Sequence, residues 1–190
     1  MLRPLRHEHA EADATSLIAN FGSLGAVLSG DAADLAGILD DREAAEHLVA
    51  VAAASIQAFR AEVHAQPVLS TSEAVASYLR AVMGSAVEEQ LRVLFLDAQN
   101  RLLREEVIGN GSTREVPIYP RNIMRRALAL GSTALILVHN HPSGSSEPSA
   151  GDLDATRRLI LVARELEIVV HDHLIVTRAA VTSLRVRGLI

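Results

Sequence analysis

Two histidines, a serine and an aspartate stand at fixed intervals in the segment LVHNHPSGSSEPSAGD, residues 137–152. Imidazole nitrogens and carboxylate oxygens both bind transition metals, zinc among them. His139 and His141 are two positions apart at the end of an apolar run, and Asp152 follows eleven positions after His141. The same residues also fit a simpler structure, because the Ser-x-x-Asp spacing resembles the capping pattern that begins many helices. On these residues alone, both interpretations stay open.

Strand periodicity brings the two histidines to one face. Successive side chains of a strand point to opposite faces, so His139 and His141 project together with Cα atoms roughly 6.6 Å apart, and Asn140 points away. Two imidazoles at that separation can bind one ion, with each nitrogen about 2.0–2.1 Å from it. If Asp152 is brought back as the third ligand, the fourth tetrahedral position is left to water, which is typical of a catalytic zinc site.

The composition limits what other chemistry is available. The 190 residues include no cysteine, which excludes disulfides, iron–sulfur clusters, thiolate nucleophiles and cysteine zinc sites. An apolar fraction of 49% is enough for a sizeable, mostly aliphatic core. Neither a signal-peptide core nor an apolar stretch of about 18 residues is present, so we expect a soluble, cytoplasmic protein without a membrane partner.

Charge is distributed unevenly along the chain. Residues 1–68 carry ten acids and four arginines, a net charge of −6, whereas the whole chain carries −5. Nucleic-acid binding requires a basic face that displaces counterions from phosphates. We therefore expect nucleic acid not to bind through the first third of the chain.

The pattern of turns and apolar runs predicts a helical segment over residues 1–67, with a boundary near Gln66-Pro67, and a second domain over residues 68–190. In the second domain we expect an α/β fold, a mixed sheet flanked by helices. Its predicted elements are a helix over 72–84 opened by a capping box at 70–73, a hairpin around 97–100, a helix over 120–130, a buried strand over 133–138, a helix over 152–167, and strands over 168–177 and 181–188.

The uninterrupted spacing His-x-His, seven residues, Ser, two residues, Asp resembles the JAMM motif of MPN/JAB-domain metalloproteases. The tract from Ala134 to Leu159 is most similar to the RadC-like branch of that superfamily, named for a supposed role in DNA repair. Further similarity lies in residues 92–103 and 172–176, and the resemblance covers about residues 68–190. It implies a JAB/MPN (cytidine-deaminase-like) fold.

The resemblance also implies roles for single residues. His139, His141 and Asp152 would bind Zn²⁺, and Ser149 would donate a hydrogen bond to the oxyanion of the tetrahedral intermediate. The family also needs a glutamate as general base just before the first core strand. The residue four positions before Val93 is Glu89, and the fallbacks are Glu88, Glu105 and Glu106.

Other polar residues are assigned structural or surface roles. His171-Asp172-His173 is a second His-x-His on a predicted strand; the resemblance gives it no metal, and we expect a structural role, with orientation of a ligand as the alternative. Surface positions are expected for two histidines, His7 and His9. For Arg121, Arg125 and Arg126 we expect a solvated helix face, with the lining of a substrate groove as the alternative.

The sequence departs from the family pattern at two places. RadC-like proteins commonly carry an N-terminal helix-hairpin-helix turn rich in glycine, whereas here Asp40, Asp41 and Glu43 occupy that place and only Gly37 remains nearby. Acids repel the phosphate that such a turn attracts, so we expect no DNA binding through this segment. Tyr119 stands where the family commonly has histidine, which could alter a substrate contact.

Three functions follow from these residues. The first is a zinc metallopeptidase or isopeptidase of JAMM type that cuts a peptide or protein substrate. The alternative is a DNA-repair-associated or nucleic-acid-binding accessory protein without proteolytic turnover. The third is a scaffold that keeps the fold without turnover. The substrate and the oligomeric state are left open.

Overall fold

The computed structural model describes residues 9–65, 67–68, 72–110 and 117–190. In these ranges the chain forms seven helices and five strands. The helices are α1 (Ala10–Phe21), α2 (Leu24–Ser29), α3 (Ala32–Leu39), α4 (Arg42–Ala65), α5 (Ser72–Met83), α6 (Pro120–Leu130) and α7 (Ala150–Glu165); the strands are β1 (Gln90–Leu96), β2 (Leu102–Asn110), β3 (Ala134–Asn140), β4 (Val169–Val176) and β5 (Val181–Ser183). None of the described helices combines the length and the apolar character needed to cross a bilayer.

The chain divides into two compact units, Met1–Arg60 and Ala61–Ile190. The first unit has its own aliphatic core, formed by Leu17, Val27, Leu35, Leu39, Ala44, Ala45 and Leu48. It consists of short helices followed by a long alanine-rich one, as the sequence predicted. The boundary predicted at 66–67 follows the end of α4, whereas the two compact units divide inside that helix.

The second unit is built on one mixed sheet with the strand order β2-β1-β3-β4-β5. β1 pairs antiparallel with β2 and β3, β3 and β4 are parallel, and β4 is antiparallel to β5. Two parallel neighbours need a long crossover connection, and here the loop 141–149 and α7 provide it. The crossover starts where β3 ends, so the amino-terminal end of α7 follows directly from the loop that leaves the sheet.

Helices cover both faces of this sheet, with α6 and α7 on one side. Alternate residues of β1 and β3, such as Val93 and Leu137, form a core with Ile123 of α6 and Leu159 of α7. The intervening residues of these strands point to the opposite face of the sheet, toward α5. One of them, Ile136, lines a cavity together with residues of that helix. All seven residues of β3 are buried. The expected mixed α/β sheet flanked by helices is therefore confirmed.

Local signals predicted most of these elements. The hairpin is confirmed: the Asp97 carboxylate accepts hydrogen bonds from the backbone N–H groups of Gln99 and Arg101, each at 2.8 Å. Helix α6 begins at Pro120 and ends before Gly131, whose φ of 65° lies in the left-handed region that glycine adopts most easily. The capping box predicted at residues 70–73 lies mostly outside the described residues.

The strand predicted over residues 181–188 is wrong beyond Ser183. After this residue the chain turns, because the Asp172 carboxylate accepts hydrogen bonds from the hydroxyl of Ser183 and from the backbone N–H of Arg185. The Leu189 N–H then bonds back to the Leu184 carbonyl at 3.0 Å. Hydrogen bonds to the Asp172 side chain of β4 thus replace the strand pairing that was predicted for residues 184–188.

Candidate metal centre

His139 and His141 converge at the carboxyl end of β3. Their Nε2 atoms lie 2.6 Å apart, so the two rings share one side of the strand as the periodicity predicted. The backbone N–H of His141 donates to the Val176 carbonyl at 2.9 Å, which continues the pairing of β3 with β4 past the last strand residue. His139 is 4% exposed, and the His141 side chain is 11% exposed.

Asp152 completes a group of three potential ligands. Its Oδ2 atom lies 3.7 Å from Nε2 of His139 and 3.8 Å from Nε2 of His141. Two ligand atoms bound to one tetrahedral zinc ion are about 3.4 Å apart when each is about 2.1 Å from the metal. The observed separations lie on both sides of that value, and all three ligand atoms fall within 4.8 Å of one another. These three residues could therefore hold a metal ion.

The other ring nitrogen of each histidine is engaged away from this point. The Nδ1–H of His141 donates to the backbone carbonyl of Ser145 at 2.8 Å, which turns Nε2 toward His139 and Asp152. Nδ1 of His139 lies 2.7 Å from Nε2 of His173. Nitrogens that are oriented in this way are typical of metal-binding histidines.

Both interpretations of Ser149 and Asp152 hold at once. Ser149 is the N-cap of α7, and its hydroxyl oxygen accepts from the Asp152 N–H at 3.1 Å. The Asp152 Oδ2 atom accepts from the backbone N–H of Ser149 at 2.8 Å and from its hydroxyl at 2.7 Å. The capping box thus holds the same carboxylate oxygen that faces the two histidines.

Electrostatics favour an ionised Asp152 and a neutral His139, the states in which these two residues bind a metal. Burial raises the pKa of Asp152, but the neighbouring His141 imidazole, the charge of His139 and the hydrogen bonds from Ser149 together hold that pKa well below its usual value. Burial lowers the pKa of His139 to about 4, against the opposing effect of Asp152. The pKa of His141 is raised, chiefly by the Asp152 carboxylate, whose Oδ2 lies 3.8 Å from its Nε2, so a proton on that nitrogen must leave before a metal binds. At neutral pH the site therefore combines a carboxylate with a neutral, buried His139.

Glu89 lies directly before β1 and lines an open cleft of about 220 Å³ together with His141, Ser149 and Asp152. Asn140, which is 1% exposed, positions the backbone on both sides of it. The Asn140 side chain accepts from the Gln90 N–H and donates to the Glu88 carbonyl, both at 2.9 Å. This amide extends the β1–β3 ladder by one step and places residue 89 opposite the end of β3.

The three fallback acids lie in other surroundings. Glu88 is exposed. Glu105 and Glu106 are on β2, where Glu105 pairs with Arg92 at 2.7 Å and accepts from the Tyr78 hydroxyl. Glu106 accepts from Nε of Arg126 at 2.6 Å. None of the three is among the residues that line the cleft.

The second His-x-His divides between two environments. Nε2 of His171 lies 2.6 Å from Oδ1 of Asn100, at the hairpin turn. His173 is fully buried behind His139, and its Nδ1 atom lies 2.6 Å from the hydroxyl of Thr156 on α7. The sequence expectation of a structural role fits His171, whereas His173 contacts a predicted ligand. The sequence carries no local signal for Thr156, because a single threonine within a helix is common.

The remaining singled-out residues lie on surfaces. His9 precedes α1 without a side-chain capping bond, and His7 is outside the described residues. Arg121 and Arg125 are exposed on α6, as expected for a solvated face. Tyr119, which is 58% exposed, lines a second groove of about 550 Å³ that reaches Ser149 and Asp152.

Comparison with known proteins agrees with this arrangement. Residues 69–189 match the family model of the RadC-like JAB domain. A UPF0758 protein of Rhodobacter capsulatus is 39% identical over 191 residues, which take in all of this chain and 89% of that relative. Fold, spacing and similarity thus lead to one assignment: this chain belongs to the family of RadC-like JAB-domain proteins.

Proposed function

We propose that this protein is a zinc-dependent metallopeptidase or isopeptidase of JAMM type that hydrolyses an amide bond in a peptide or protein substrate. The convergence of two imidazole nitrogens and one carboxylate oxygen on the wall of an open cleft carries the proposal. Three protein ligands of this kind suit zinc and leave a position for water. Zn²⁺ bound by His139, His141 and Asp152 would polarise the substrate carbonyl and lower the pKa of water toward neutrality.

Glu89 is the proposed general base. It takes a proton from the attacking water and delivers it to the leaving amine, the two transfers that amide hydrolysis requires. Its position in the cleft beside His141 supports this role, and its negative charge contributes to the raised pKa of that histidine. Glu105 and Glu106, by contrast, are bound by arginines on β1 and α6.

Ser149 is the proposed donor to the oxyanion. Its hydroxyl has one proton, which points to Oδ2 of Asp152 at 2.7 Å. To donate to the oxyanion, the hydroxyl must rotate away from the carboxylate, while its oxygen can still accept from the Asp152 N–H. Such a donor acts only when negative charge develops on the substrate oxygen.

The two grooves that share Ser149 and Asp152 support a polymeric substrate. The cleft containing Glu89 lies on one side, and the groove lined by Ile118 and Tyr119 on the other. An extended polypeptide can therefore contact the protein on both sides of the bond that is cut. This argues for a peptide or isopeptide amide over a small free amide.

Metal analysis of the purified protein tests the ligand set. We expect about one equivalent of zinc in the wild type and in His171→Ala, which removes a histidine outside the site. His139→Ala and Asp152→Ala should each lose most of it, because two ligands hold zinc far more weakly than three. Zinc that persists in both variants at the wild-type level would refute the assignment.

Turnover is tested with Glu89→Gln, which keeps the shape of the side chain and removes the base. We expect kcat to fall by about 10²–10⁴-fold with zinc content unchanged. Glu88→Gln, next to it but exposed, is the matched control and should retain activity. Equal activity in wild type and Glu89→Gln would place the base elsewhere, and a wild type without turnover would favour the scaffold function.

The nucleic-acid alternative has less support. Residues 1–68 carry a net charge of −6, and the acids at the α3–α4 turn have local structural roles. Asp40 adopts a left-handed conformation with φ of 48° at the end of α3, and the Asp41 carboxylate accepts from the Ala44 N–H at 3.0 Å. We expect no shift of duplex DNA at low salt; tight binding with a steep salt dependence would restore the alternative.

A further inference from the structure

A continuous chain of hydrogen bonds runs from His139 into the interior behind the metal centre. Nδ1 of His139 lies 2.7 Å from Nε2 of His173, and Nδ1 of His173 lies 2.6 Å from the hydroxyl oxygen of Thr156. The Thr156 hydroxyl in turn lies 2.6 Å from the backbone carbonyl oxygen of Asp152. His173 and Thr156 are both 0% exposed, so water does not compete for these bonds.

The last acceptor sets the direction of the whole chain. A carbonyl oxygen can only accept, so the single hydroxyl proton of Thr156 must point to Asp152. The Thr156 oxygen then accepts from Nδ1–H of His173. An imidazole buried in this way is neutral and has one N–H, because a buried charge without a paired counter-ion is costly. Nε2 of His173 is therefore an acceptor, and it must receive the Nδ1–H of His139.

One tautomer of His139 satisfies this chain, and it is the one that leaves a lone pair on Nε2. That atom faces Nε2 of His141 and Oδ2 of Asp152. The Nδ1–H of His141 donates directly to the Ser145 carbonyl, so in the metal-free protein the proton between the two Nε2 atoms, which lie 2.6 Å apart, belongs to His141. Both histidines are thus directed by a backbone carbonyl, one directly and one through two intermediate side chains.

We propose that Thr156 and His173 are positioning residues that hold His139 in its Nδ1–H tautomer, with Nε2 free for the metal. The consequence for metal affinity rests on the proposed function, whereas the tautomer itself is a property of the metal-free protein. Because this chain of hydrogen bonds ends on the backbone carbonyl of Asp152, it also links His139 on β3 to α7, the helix that supplies the third proposed ligand. For His173 of the second His-x-His, this is the alternative role of orienting a ligand, in place of the structural role that the sequence favoured.

Thr156→Val is the decisive perturbation. Valine has nearly the shape of threonine but offers no oxygen, so Nδ1 of His173 loses its acceptor and the ring can adopt the opposite tautomer. In that tautomer Nε2–H donates to Nδ1 of His139, which moves the proton of His139 to Nε2 and blocks the metal position. Thr156→Ser restores the hydroxyl and is the matched rescue variant. His171→Gln removes a histidine from the same strand without touching the chain.

The first measurement is made on the full chain after zinc has been removed with a chelator. Nitrogen-15 NMR of the histidine rings distinguishes a protonated from an unprotonated ring nitrogen and so gives each tautomer directly. We expect Nδ1–H for His139 and His173 in the wild type, Thr156→Ser and His171→Gln, and a mixed or reversed population in Thr156→Val. An Nε2–H tautomer of His139 in the wild type, or no difference between Thr156→Val and Thr156→Ser, would overturn the proposal.

The second measurement is zinc affinity by competition with a chromophoric chelator. Loss of a residue that orients a metal-binding histidine typically weakens affinity about 10–100-fold, which is the expected effect of Thr156→Val; Thr156→Ser and His171→Gln should stay near wild type. Equal affinities for Thr156→Val and Thr156→Ser would count against the positioning role. If the wild type shows the expected tautomers but binds no zinc, the hydrogen-bond chain is upheld and the proposed function is refuted.

Discussion

Asn140→Ala tests how the structure places Glu89. The Asn140 side chain is 1% exposed and makes two hydrogen bonds of 2.9 Å, one to the Gln90 N–H and one to the Glu88 carbonyl. It lies between the two predicted zinc ligands in sequence but on the opposite face of β3. Its removal therefore changes the backbone around the proposed general base without removing a proposed metal ligand.

The expected loss of stability follows from the two backbone groups that lose their partner, the Gln90 N–H and the Glu88 carbonyl. Each hydrogen bond contributes about 0.5–1.5 kcal/mol, and a buried N–H or C=O left without its partner costs about 1–3 kcal/mol. Both groups are partly buried, so we expect a loss of about 2–4 kcal/mol in the free energy of unfolding. For a chain of this length each kcal/mol lowers Tm by about 2–4 °C, which gives a decrease of about 5–15 °C.

Three measurements separate the effects of this variant. Thermal unfolding gives the change in stability, amide hydrogen exchange at Gln90 reports the lost acceptor, and chelator competition gives the zinc affinity. We expect faster exchange at Gln90, zinc affinity within about twofold of wild type, and a lower kcat on any amide that the wild type cleaves, because Glu89 is less well positioned. Asn122→Ala, an exposed asparagine on α6, is the matched control.

Either of two results would refute this reasoning. An unchanged Tm together with unchanged exchange at Gln90 would mean that the Asn140 amide does not hold the backbone around Glu89. A large loss of zinc affinity in the folded variant would mean that the two faces of β3 are not independent.

Three further outcomes are expected. Burial lowers the pKa of His139 to about 4 and of His173 to about 3, below their unfolded values, so these two histidines stabilise the metal-free protein fully only above about pH 6.5. The free energy of unfolding should therefore fall by about 2 kcal/mol per histidine between pH 7 and about pH 5. The raised pKa of His141 partly offsets this loss, because that histidine stabilises the folded protein more as the pH falls. Urea unfolding at both pH values measures the difference. Asp152→Asn should weaken zinc binding at least tenfold in chelator competition while circular dichroism retains α7, since an amide oxygen still accepts from the Ser149 N–H. Chelation of the metal should leave the far-ultraviolet spectrum unchanged, because the capping box and the carbonyl of Ser145 hold the ligands without it; unfolding on chelation would contradict this.

The residues of the candidate metal centre were predictable because their signals are local. The alternation of a strand places His139 and His141 on one face, and a Ser-x-x-Asp spacing begins a helix regardless of what lies around it. The hairpin turn at Asp97 and the proline–glycine limits of α6 are equally local. Such features depend on backbone geometry over a few residues, so a short stretch of sequence is enough to predict them.

What supports those residues could only be decided by the fold. The parallel register of β3 and β4 brings His173 behind His139, and residues so far apart in sequence acquire a common neighbour only through that pairing. The antiparallel register of β1 and β3 similarly joins Asn140 to the backbone around Glu89. The last strand also became shorter than its β-branched sequence predicted, because Asp172 binds the backbone beyond it. Sequence periodicity fixes which face of a strand a side chain takes, but the register between strands determines which partners it meets, and that register is set by packing of the whole sheet.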